Sequence, residues 1–168
     1  MLSILLKVKF MSNNDLDRLD RNILRELQGN GRISNVDLAK KIGLSATPCL
    51  SRVKRLEKIG CIQQYTIRVN PEFVDAALLV FVELRLERTS IDVFDNFRHA
   101  VLKLPPVMEC HLVSGDFDYL LKARVPDIHA YRKFLGETLL SLPHVNSSRS
   151  YMVMEEVKET EVLPIPAG

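Results

Sequence analysis

The stretch GLSATPCLSRVKRLEKIG, residues 43–60, decides how the first part of the chain is read. Gly43 ends one apolar-periodic segment, and Thr47-Pro48 opens another. Thr47 is the expected N-cap and Pro48 the first helical residue, where a missing N–H costs nothing. Stepping about 100° per residue puts Cys49, Val53 and Leu56 on one side, flanked by Leu50 and Ile59. Thr47, Ser51, Lys54, Arg55 and Lys58 fall on the opposite side, with Arg52 at its border and no acid on that face. Upstream, Leu16, Leu19, Ile23, Leu24 and Leu27 recur at helical spacing, with Asp15 or Asp17 as a cap and Gly29 to Gly31 as a stop. Ser34 caps a second helix, in which Val36, Leu38, Ala39 and Ile42 face inward. A helix, a tight Gly turn and a further helix spell helix-turn-helix, whose second helix enters a DNA major groove. Thr47 and Ser51 suit base or phosphate-oxygen contacts, and Arg52, Lys54, Arg55 and Lys58 suit phosphate or guanine contacts. A basic helix standing alone more often just faces water; the turn and the preceding helix weigh against that alternative.

The charge is divided along the chain. Residues 1–66 carry twelve Lys and Arg against six Asp and Glu, whereas residues 67–168 carry eleven against fifteen, so the basic part is the one expected to meet a polyanion. A boundary near residue 66 follows. The segment CIQQYTIRVNPEF, from Cys61, alternates like a strand before the Asn70-Pro71 turn, and reads as a wing or a linker strand. The longest apolar run, Ala76 to Val82, is far short of the roughly 20 residues a bilayer crossing needs, so a soluble, cytoplasmic protein is expected. Cys49, Cys61 and Cys110 form no CxxC pair, which argues against a disulfide framework or a zinc knuckle. The N-terminal MLSILLKVKF lacks a cleavage pattern and reads as an extension.

The second part repeats itself. Apolar strands are expected over 78–86, 107–113, 119–125 and about 149–157, with helices over 93–104 and 128–142. Leu104-Pro105-Pro106-Val107 and Leu142-Pro143-His144-Val145 recur 38 residues apart at the same place in each unit. The order is βαββαβ, the ferredoxin-like split arrangement, making the whole chain α+β. Leu79, Phe81, Tyr151 and Val153 alternate with Val80, Val82 and Met152, so both sheet faces call for cover, which a second copy would supply. The expected divisions are 1–14 extension, 15–65 helix-turn-helix, 66–77 linker, 78–160 βαββαβ domain and 161–168 tail.

The hairpin SGDFDYLL, residues 114–121, places Asp116 and Asp118 beside Gly115. Gly-Asp is an ordinary turn pair whose Asp bonds its own backbone. The functional alternative is a pocket at a subunit boundary that binds an amino acid, its ammonium on Asp118 and its carboxylate on turn N–H groups. A metal fits poorly, because adjacent Cys110 and His111 point to opposite strand faces. Catalysis fits poorly too: there is no Gly-rich phosphate loop and no nucleophile–base pair, and His99, His111, His129 and His144 are scattered.

Across residues 15–160 these segments resemble the Lrp/AsnC family of feast/famine transcription regulators. The resemblance rests on LDRLDRNIL, NGRISNVDLAKKIGLS, TPCLSRVKRLEKIG, LVFVEL, ECHLVSGDFDYLLKARV, YRKFLGETLL, LPHVNSSRSY and VMEEVK, in that order. It implies a cytoplasmic, nucleoid-associated regulator with a winged helix-turn-helix and an amino-acid-responsive βαββαβ domain, without a cofactor. It also implies homodimers that assemble into octamers or other even multiples, with DNA wrapped around them and amino acids bound between dimers. On this chain the implied effector region is Leu112, Gly115, Asp116, Asp118, Ile128, Tyr151, Met152 and Val153. The implied signal is leucine or another apolar amino acid; an effector-independent, DNA-wrapping architectural protein is the alternative. Residues 1–10 and the tail VLPIPAG have no counterpart in the family pattern.

Overall fold

The computed structural model describes residues 16–88 and 90–166 and divides into two compact units. One holds the chain up to Arg68 together with the segment from Glu159 onward; the other is Val69–Lys158. Asp15 and the extension over 1–14 lie outside the described residues.

The first unit has three helices, α1 (Arg18–Gly29), α2 (Asn35–Ile42) and α3 (Ala46–Lys58). Asp17 caps α1 in a reciprocal box: its side chain accepts from the Asp20 N–H at 2.8 Å, and the Asp20 carboxylate accepts from the Asp17 N–H at 3.2 Å. Ser34 caps α2, and Gly43 closes it at φ 74°, in the left-handed region where Gly carries no Cβ penalty. Helix α3 starts earlier than its Thr-Pro pair suggests. Its N-cap is Ser45, which makes no side-chain cap bond, so Thr47 lies inside the first turn rather than capping it. Pro48 is then the third helical residue, whose N–H would still lack an intrahelical partner, so the ring is accommodated. Ile23, Leu38, Ala39, Ile42, Cys49 and Leu56 form the buried core, while Leu50 and Val36 face outward.

Residues 61–70 form no strand, contrary to their alternation. Tyr65, Ile67 and Val69 are each at least half exposed, and no segment of the described chain pairs with them. Period-two patterning supplies a face but no ladder, and a strand needs a neighbour's N–H and C=O groups. The tail is anchored rather than free-standing. Its backbone is held on α1: Arg25 donates to the carbonyls of Ile165 (3.2 Å) and Pro166 (2.7 Å), and the Gln28 amide exchanges bonds with the Leu163 N–H and C=O.

The second unit contains β1 (Leu78–Leu86), α4 (Ile91–Val101), β2 (Val107–Leu112), β3 (Tyr119–Val125), α5 (Ile128–Glu137) and β4 (Val145–Met152). The four strands are all antiparallel in the order β2-β3-β1-β4, which is the βαββαβ topology read from the repeat. Helix α5 and β4 are displaced from expectation. The helix stops at Glu137, a 3-10 turn occupies Leu139–Ser141, and His144 turns the chain at φ 63°, so pairing begins at Val145 rather than 149. Val80, Val82, Leu84 and Leu86 of β1 pack under both helices with Phe97, Tyr119, Leu121 and Tyr131. Phe97 is fully buried, its ring centroid 4.4 Å from that of Tyr119. Truncating Phe97→Ala is expected to lower the unfolding free energy by about 3–5 kcal/mol, measured by urea denaturation at fixed protein concentration.

Candidate nucleic-acid interface and effector region

Helix α3 turns Cys49 and Leu56 into the core, and this orients everything else on it. Thr47, Ser51, Lys54 and Lys58 stand exposed, and none has an ion-pair or side-chain hydrogen-bond partner among the described residues. Arg52 and Arg55 differ. Arg52 donates from Nη1 to Asp17 Oδ2 at 2.6 Å and to Asp20 Oδ1 at 2.9 Å, and Arg55 donates from Nη2 to Asp20 Oδ2. Asp20 is only 1 % exposed and is the buried charged residue of the described chain. The expected basic face therefore divides into two lysines in water and two arginines on acids of α1. The one acid of α3, Glu57, accepts from the Tyr65 hydroxyl at 2.9 Å; burial, then that bond, pushes the Tyr65 hydroxyl up to about 12.

The Asp20 N–H holds Asp17 below its ordinary 3.8, against the opposing effect of burial and with help from Arg52. A carboxyl depressed in the folded state contributes stability above its ordinary value and loses it as pH falls through the depressed one, so this cap weakens only in acid. The acids of α1 as partners for α3 were missed by the helical-wheel reading. Their signal was present: Asp17 and Asp20 are spaced by three, as are Arg52 and Arg55.

The expected effector residues fall into two groups within one copy of the second unit. Leu112 pairs with Tyr119, which pairs with Leu84, so Leu112 and the following hairpin lie at one end of the sheet. Met152 pairs with Val80, and the Val153 N–H donates to Leu79, placing Tyr151, Met152 and Val153 toward the other end. Ile128 begins α5 just beyond Val125, whose β1 partner is Leu78, so it lies at that same end. Leu84 and Val80 are four residues apart, about 13 Å along a strand.

In the hairpin, Gly115 and Asp116 are exposed, and a Cβ at Gly115 would meet nothing within 4 Å. Asp118 is engaged. Its Oδ2 accepts from the Leu86 N–H at 2.7 Å while its own N–H donates to the Leu84 carbonyl at 3.0 Å, which clasps the hairpin to the end of β1. Tyr151 donates its hydroxyl to Glu83 at 2.9 Å. Among the described residues, no group of three His, Cys, Asp or Glu side chains is placed to hold a metal.

A three-helix unit carrying a helix-turn-helix, joined to a βαββαβ unit with an exposed hairpin, is the build of a two-domain DNA-binding regulator. Residues 16–63 match the winged helix-turn-helix DNA-binding family, and residues 79–163 match the Lrp/AsnC ligand binding domain. The chain belongs to the Lrp/AsnC family. It is 66 % identical over 151 residues to the leucine-responsive regulatory protein of Escherichia coli strain K12, covering 90 % of this chain and 92 % of that one. The protein of the same name from Klebsiella pneumoniae matches at the same identity and coverage. Among solved structures, a transcriptional regulator from Neisseria meningitidis in complex with L-Met superposes with a TM-score of 0.84 at 40 % identity, over 89 % of this chain and 96 % of the other. A feast or famine regulatory protein from M. tuberculosis complexed with L-methionine gives 0.79 at 31 %, over 90 % and 99 %.

The Asp118 clasp separates structure from charge. Asp118→Ala removes the acceptor for the Leu86 N–H and is expected to cost about 1–3 kcal/mol. Asp118→Asn retains an acceptor oxygen and should stay close to the wild type. Urea unfolding of both variants checks this; equal loss in the two would place the contribution in the charge instead.

Proposed function

We propose that this chain is a sequence-specific transcription regulator whose DNA affinity or assembly responds to an apolar amino acid. The carrying observation is that one chain matches the leucine-responsive regulatory protein across both units, the DNA-binding one and the ligand-binding one, at 66 % identity over 90 % of its length. Helix α3 supplies the reading head: Thr47 and Ser51 near its N-terminus approach base edges, Lys54 and Lys58 neutralise phosphates, and Arg55 shares that face with Arg52 at its border. Leucine is the favoured effector from the names of the relatives, and methionine follows from the two solved complexes; both are unbranched at Cβ and apolar.

The effector site is formed at a boundary between copies. Leu112, Gly115, Asp116 and Asp118 on one copy meet Ile128, Tyr151, Met152 and Val153 on another, because within a single copy the groups lie at opposite ends of the sheet. The occupant's ammonium faces Asp116 or the open side of Asp118. This requires a homo-oligomer: a dimer that covers the sheet face bearing Phe81 and Tyr151, multiplied to an octamer or another even assembly in the cytoplasm. Pairing also gives two α3 helices for two half-sites about one DNA turn apart. The effector then acts by its differential affinity for assembly states, which changes how many helix-turn-helix units engage one DNA.

Fluorescence anisotropy of the full chain on DNA from upstream of its own gene, at one fixed salt concentration, tests this. Millimolar leucine or methionine is expected to shift the midpoint several-fold. Tight binding indifferent to every apolar amino acid would instead make the protein an effector-independent architectural one, and no preference over random DNA would refute the regulator reading.

A further inference from the structure

We propose that Asp20 is a positioning residue that withholds Arg52 and Arg55 from the DNA backbone, leaving phosphate neutralisation on α3 to Lys54 and Lys58. This rests on the reading of α3 as the DNA-contacting helix. The two oxygens of the Asp20 carboxylate are divided between the two guanidinium groups, and Asp17 takes a second bond from Arg52. Two cations and two anions make the cluster neutral as a whole. Asp20 is 1 % exposed, so an arginine that left for a phosphate would leave one oxygen of a buried carboxylate without its partner, a desolvated acceptor that only the other arginine still compensates. What a phosphate offers in return is chiefly released counterions, a gain that falls as salt rises. Lys54 and Lys58 face no such penalty, being exposed and without an ion-pair partner among the described residues.

Function follows from the restraint. Mobile arginines with five donors each bind any phosphate backbone, which raises affinity for all DNA alike; fixed arginines leave discrimination to the side chains at base edges. They also fix the pose of α3 on α1, so Thr47 and Ser51 are presented at one angle. Asp20 therefore sets the ratio of specific to non-specific binding without touching DNA.

The test is the slope of log Kobs against log salt for the full chain on operator DNA and on a random duplex, together with the thermal midpoint of each variant. Lys54→Gln and Lys58→Gln should each flatten the slope by about 0.9, the value for one lost phosphate contact. Arg55→Gln should leave it unchanged, with Arg52 still compensating Asp20. Asp20→Asn should steepen the slope toward two additional contacts, about 1.8, and tighten random-duplex binding several-fold relative to operator binding. A slope that Arg55→Gln flattens as much as the lysine variants overturns the proposal, and that variant decides even if Asp20→Asn does not fold. A folded wild type that binds neither duplex overturns the DNA reading itself.

Discussion

The carboxylate of Asp20 is the constraint on which the first unit depends. It sits at the third position of α1, closes the capping box with Asp17, and receives both arginines of α3 while almost wholly out of water. Desolvated charge is tolerated only when paired and hydrogen-bonded, and here the pairing crosses from the first helix to the third. The apolar core of Ile23, Leu38, Cys49 and Leu56 is non-directional; the ion cluster supplies the angular information that such a core lacks. Cap, core and reading helix are in this way a single arrangement.

The second unit solves a different problem. Its sheet has one face sealed by α4 and α5 over Val80, Val82, Leu84 and Leu86, and another face where Phe81 and Tyr151 lie beside Glu83, Lys122 and Arg149. That second face is neither a dry core nor an ordinary solvent surface, which suits cover by another copy carrying the same mixture. The hairpin at 113–118 is fastened by backbone bonds and by Asp118, so Gly115 and Asp116 project from a fixed base.

What was legible in the sequence was the internal repeat and the bounds of α2, but not the cap of α3, where Ser45 takes the place expected of Thr47. Ser34 and Gly43 bracket α2 as their chemistry demands, and the two Leu-Pro repeats fixed the order of strands and helices. The basic residues of α3 were legible as a group, but their pairing was not. A helical wheel places Arg55 outward and Arg52 at the border, as they stand, and says nothing of the acids that α1 brings to meet them. The tail was illegible for another reason: Arg25 and Gln28 grip the backbone of Leu163, Ile165 and Pro166, and every residue type offers the same carbonyl. Residues 61–70 show the converse, a strand-like alternation in Tyr65, Ile67 and Val69 with no ladder to join.

Hydrogen exchange of the full chain, read peptide by peptide with operator DNA alone and with leucine alone, tests most directly the claim that the two units divide reading from sensing. The account predicts slowed exchange over 44–58 with DNA, and over 112–119 and 149–154 with leucine, the latter two segments responding together because different copies supply them to one site. Protection by DNA centred on the second unit, or by leucine centred on α1 to α3, would contradict it.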